Sequence, residues 1–227
     1  MVAPQISFTA RRNFLAGAAA ASLLALPGCA SMGGFSMVEA VRRLLTMSTQ
    51  GALGRLTASG GFWDNQVARL ALPEMFGSRG TVLQSIVTSA VFRERLQHQL
   101  NIVAEDGARR AAPVVAETVR TIGIANAVAL IRGGPTAATG FLRDAMADSL
   151  IDTMLPALGD GLRLARDPLV GQAIAALVGG DLSSVARSLS VKADDAIWGE
   201  IGREEASIRA NPERTNDPVL IGVLKVL

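Results

Sequence analysis

From residue 36 onward the apolar residues return every three or four positions, and no run of strand length alternates apolar with polar. Val38, Val41, Leu45, Ala52 and Leu56 make one such stripe, with Ser36 ahead of it in an N-cap position and Gly60-Gly61 closing it. Phe62 to Asn65 reads as a loop with aromatic anchors, and residues 69–73 as a short extended piece ahead of Pro73. The spacing then predicts a helix over 81–110, carrying Phe92, Leu96, Leu100 and Val103. A second is expected to open at Pro113 and be interrupted by Gly123, and a short third to end at Ile131. After Gly133-Gly134-Pro135, helices are expected over 136–158, 168–178 and 191–210, the last stopped by Asn211-Pro212. The implied fold class is all-α, a single irregular multi-helix domain over residues 36–227.

The first 28 residues do not belong to that domain. Arg11-Arg12 precede a short apolar run from Phe14 to Leu26 that ends at Pro27-Gly28-Cys29, which describes a cleaved export signal rather than a membrane span. The adjacent arginines followed by Asn13-Phe14-Leu15 resemble the twin-arginine signal, and Leu26-Pro27-Gly28-Cys29 resembles a bacterial lipobox. Cys29 would then be the acylated N-terminus, residues 29–35 a short linker, and the periplasmic face of the outer membrane the destination. The soluble periplasm is the alternative. Beyond this leader no stretch of about 18 apolar residues is free of charge.

Composition narrows the chemistry. One cysteine and one histidine leave no set for a Cys-rich or multi-His metal site, and no cofactor motif is found. The 22 Lys and Arg against 20 Asp and Glu give a net charge of +2, and removing Arg11 and Arg12 brings it to zero. No basic patch remains for nucleic acid.

Three segments go beyond generic helix. Gly133-Gly134-Pro135-Thr136-Ala137-Ala138-Thr139 with Phe141 and Arg143, and Glu204-Glu205-Ala206-Ser207-Ile208-Arg209-Ala210-Asn211-Pro212 with Arg214-Thr215, carry most of the pattern. Residues 60–74 and Leu100-Asn101 with Ala104-Glu105 complete it more loosely. Together they resemble the bacterial envelope proteins catalogued as domain of unknown function 4197, which implies a small, helical, exported protein and brings no activity with it. The chain departs from that pattern at Ile102, where an arginine is usual, and over 168–178, where an apolar run replaces a polar, Tyr-containing stretch.

Few residues invite chemistry. The Gly133-Gly134-Thr136 turn at a helix start could hold an anion such as a phosphate or a lipid headgroup, although Thr136 also fits an ordinary N-cap. His98 and the Arg109-Arg110 pair read as solvated, and Asp144, Asp148 and Asp152 as one exposed row of a helix. Glu204 shares a face with Ile197, Ile201 and Ile208, so it is expected to be buried and paired with Arg143, while Glu205 and Arg209 pair on the exposed side. The expected function is a non-enzymatic binding or interaction module of the envelope, tethered by its lipid. A hydrophobic-ligand carrier using residues 168–178 and a hydrolytic enzyme centred on Glu204 are the alternatives.

Overall fold

The computed structural model describes residues 36–72, 89–164, 171 and 182–226. Among them lie seven α-helices, one 3-10 turn and no strand: α1 (Met37–Leu56), α2 (Ala90–Thr121), α3 (Ala127–Arg132), α4 (Ala137–Met146), α5 (Ser149–Arg163), α6 (Leu182–Ala210), the turn Pro212–Thr215, and α7 (Pro218–Val226). The fold is all-α, as the periodicity implies.

α6 packs against both α1 and α5, α5 packs against α2, and α2 returns to α1, so four long helices enclose one core. On α1 the buried residues Val41, Leu45, Ala52 and Leu56 fall on the expected stripe, whereas Val38 is exposed. α2 and α5 come very close where both carry small residues. A Cβ on Gly107 would lie 2.3 Å from Leu158 Cδ1, so a larger side chain there would displace that leucine.

The boundaries depart from the sequence reading in three places. Pro113 does not open a helix but sits inside α2. It is exposed, so the Arg109 carbonyl left without its N–H partner faces water, while Ala111, Val115 and Val119 continue the buried stripe beneath it. The helix expected over 136–158 is two helices, split at Ala147, which has a left-handed φ of 44°. That break also separates Asp144, on α4, from Asp152, on α5, with Asp148 between the helices; all three are exposed, but they do not form one helical row. α6 begins nine residues earlier than expected, at Leu182.

α7 is an addition. Asp217 Oδ1 accepts the N–H groups of Val219 and Leu220, at 2.9 and 3.0 Å, and Pro218 takes the first helical position. Residues 168–178 lie outside the described residues except for Gly171, as do Cys29, Arg11, Arg12 and residues 81–88.

Candidate functional site

Two polar assemblies hold the frame around the site. In the first, Asn101 on α2 is fully buried and pins the 57–72 loop. Its Oδ1 accepts the Leu70 N–H at 2.8 Å, and its Nδ2 donates to the carbonyls of Leu70 at 3.2 Å and Gln97 at 2.7 Å. One turn further on, Glu105 accepts the Phe62 N–H at 3.4 Å and lies 3.7 Å from Arg109. Burial pushes the Glu105 carboxyl above the usual carboxylate range, against the pull of that N–H and that guanidinium. Ile102, beside Asn101 on α2, is half-buried.

The second assembly joins the segments around 133–143 and 204–215. Glu205 on α6 is completely buried and faces the start of α4. The Ala138 N–H donates to its Oε1 at 3.0 Å, and the Thr139 N–H and hydroxyl both donate to its Oε2 at 2.6 Å. One turn along α6, Arg209 donates from Nε to Glu205 Oε1 at 2.8 Å and spans to the end of α3, donating to the carbonyls of Ile131 at 2.7 Å and Leu130 at 2.8 Å. A carboxylate therefore meets the positive end of α4 and a guanidinium the negative end of α3, and the two neutralise each other across the chain break. Gly202 lets α6 lie this close: a Cβ there would come 3.1 Å from Thr136 Cγ2.

This assembly corrects the reading of the glycine turn. Gly133, Gly134 and Thr136 do shape a helix start that binds an anion, but the anion is the chain's own Glu205 and the donors are Ala138 and Thr139. Thr136 occupies the N-cap position with no side-chain capping bond. Gly133 is needed for space, since a Cβ would meet that of Ala137 at 2.6 Å.

The expected Glu204–Arg143 pair does not form. Glu204 turns to α1, where its Oε2 meets Arg55 at 2.7 Å, and Arg143 bonds Asp194 at 3.1 Å and Asp195 at 2.5 Å on α6. Asp194 is buried and also accepts the Trp198 indole N–H at 2.9 Å; its burial raises its pKa despite both donors. The Glu205–Arg209 pair, expected on the exposed side, is the buried one. The physical reason is that α6 is covered from several sides, by α1, α5, α2 and α4, so its apolar stripe does not say which neighbouring carboxylate is enclosed.

His98 is exposed and stands edge-on to Trp63, their ring centroids 4.8 Å apart. Arg109 is engaged with Asp106, Glu105 and the Thr57 carbonyl, and Arg110 is exposed.

Glu204 instead edges a cleft of about 410 Å³ between α1, the end of α6 and the 3-10 turn. Its floor is apolar, from Met47 and Ile208, and Gly51 leaves room for the carboxylate, because a Cβ there would stand 3.0 Å from Glu204 Cδ. Its rim is polar: Gln50, Ser207, Asn211 and Arg214. Among the described residues no hydrogen bond or ion pair reaches any of these four side chains. The C-terminal signature thus divides. Glu205, Arg209 and Pro212 build the frame, and Glu204, Ser207, Asn211 and Arg214 line an open cleft. The sequence reading missed Gln50, Ser207, Asn211 and Arg214; the signal available was that three of them fall within the matched signature without an apolar stripe or an i,i+4 partner to account for them.

The model of the family described as protein of unknown function (DUF4197) matches residues 31–225. No curated protein and no solved structure matches the chain.

Proposed function

We propose, for a chain that belongs to that family, a non-enzymatic binding module of the bacterial envelope that receives its ligand in the cleft between α1 and the end of α6. The observation that carries this is the rim. Four polar side chains with no partner among the described residues border a cavity of about 410 Å³, a size suited to a small ligand or the end of a larger one. Nucleophilic chemistry would need a hydroxyl bonded to a base, and no hydrogen bond joins Ser207 to Glu204, whose carboxylate is held by Arg55. Binding without covalent chemistry is the reading this geometry supports best.

The test is capture from solubilised envelope, with the full chain compared against Ser207→Phe, which fills the cleft from its rim. Proteins and lipids retained by the first and lost from the second support the reading; identical retained sets contradict it.

The proposal extends to location. Arg11-Arg12 would route the folded chain through the twin-arginine translocon, and acylated Cys29 would hold it on the periplasmic face of the outer membrane, with residues 29–35 as tether. No described helix is long and apolar enough to cross a membrane. Cys29→Ser is expected to move the protein from the membrane fraction to the soluble periplasm. Processing that continues in a strain lacking the twin-arginine translocon would contradict the route.

A further inference from the structure

We infer that the cleft takes an acidic group, a carboxylate or a phosphate, carried on a short apolar stem. The inference rests on the reading of the cleft as a binding site and adds the chemistry of what enters it. Three observations on charge point the same way. Glu204, the acid of the cleft, is neutralised by Arg55 at 2.7 Å. The two acids flanking Arg214 are engaged elsewhere, Glu213 by Lys225 and Asp217 by Arg43 at 2.8 Å. Among the described residues no acid pairs with Arg214, which leaves it an uncompensated cation on the rim. Beside it stand the amides of Gln50 and Asn211 and the hydroxyl of Ser207, all able to donate. A guanidinium among neutral donors matches the oxygens of a carboxylate or phosphate, and a guanidinium can bind either with two parallel bonds. An ammonium would find only the acid that Arg55 already holds. Behind the rim, Met47 and Ile208 offer an apolar floor on which a hydrocarbon stem can lie.

The acidic group could reach the cleft from a lipid of the membrane or from a soluble small molecule, and the experiment separates these sources. The full chain is titrated with hexyl phosphate, hexanoate and hexanol, following the side-chain amide resonances of Gln50 and Asn211. Saturable shifts with at least one of the anions and none with hexanol are expected. Arg214→Gln is expected to weaken binding about tenfold or more, since it removes a charge-assisted bond. Because Arg214 is exposed and unpaired, that variant should unfold like the parent, and Asn211→Ala provides a second, uncharged probe of the same rim. In parallel, the Cys29→Ser chain is sedimented with vesicles of phosphatidylcholine containing phosphatidylglycerol. Retention that Arg214→Gln abolishes assigns the acidic group to a lipid, and anion binding without vesicle retention assigns it to a soluble molecule. Equal binding of hexanol, or undiminished anion binding by Arg214→Gln, overturns the acidic assignment while leaving the cleft as a binding site. Absence of binding by every probe, together with unchanged capture by Ser207→Phe, overturns both.

Discussion

Glu204 and Glu205 are neighbours in the chain with the same side chain, and they stand in opposite circumstances. Glu205 is 0% exposed and each of its oxygens is bonded inside the protein, at the junction of α3, α4 and α6. Glu204 is 26% exposed, shares one ion pair with a half-exposed arginine and borders a cleft where, among the described residues, the side chains of Gln50, Ser207, Asn211 and Arg214 have no partner. A buried, fully bonded carboxylate is held by the need to balance its own desolvation, and removing it strands the groups around it. A rim carboxylate paired with a half-exposed arginine contributes little to folding. The same helix thus presents a buried, fully bonded carboxylate and, beside it, a partly exposed one at an open cleft.

The largest effect is expected from Glu205→Gln. The variant leaves Arg209, only 11% exposed, without its counter-charge and an amide NH2 against the α4 donors, so chemical denaturation should show a loss of roughly 3–5 kcal/mol. Asn101→Ala comes next. It removes two hydrogen bonds that tie the 57–72 loop to α2 and a third within α2, and leaves the Leu70 N–H buried, and the expected loss is about 1–3 kcal/mol. A loss below that of a surface substitution would mean the loop is held by its other contacts, among them buried Phe62, Asn65 on Glu200 and Gln97 on the Leu70 carbonyl.

A smaller and pH-dependent effect belongs to Glu105. Its folded pKa is raised above the ordinary glutamate value of 4.5, so the folded state favours the proton more than the unfolded chain does. Relative to a Glu105→Gln chain, the parent should be at its most stable below about pH 4.5 and lose that advantage as pH rises through the raised folded value. Parallel stability curves for the two proteins would remove burial as the dominant influence on this group. The smallest effects are reserved for the cleft. Glu204→Gln should change stability by less than about 1 kcal/mol, and Ser207→Ala by no more than about 0.5 kcal/mol. A large loss from either would turn the cleft into part of the frame and erase the contrast.

What could be read from the chain follows from which forces act locally. The stripes of α1 and α2, the break at Gly133-Gly134-Pro135 and the stop at Asn211-Pro212 are legible because apolar spacing and backbone restrictions act over a few residues. The break at Ala147 carries no glycine or proline to announce it, and α2 runs through Pro113 because packing beneath the exposed proline outweighs one lost hydrogen bond. The Asp217-Pro218 start of α7 was legible in principle, being an Asx cap with proline at the first position. The choice between Glu204 and Glu205 was not, because it depends on what covers each flank of α6. Burying Glu205 takes a helix N-terminus brought from more than sixty residues away. The cleft is assembled the same way, with Gln50 from one end of the chain meeting Ser207, Asn211 and Arg214 from the other.

The division of the signature rests on Glu205 serving as the anion at the start of α4. Amide hydrogen exchange tests this at single residues, since the N–H groups of Ala138 and Thr139 have that carboxylate as their acceptor. In Glu205→Gln, under conditions where the protein remains folded, exchange at Ala138 and Thr139 should accelerate, while Glu204→Gln should leave both protected as in the parent. Unchanged protection in Glu205→Gln, or equal loss of protection in Glu204→Gln, would contradict the account.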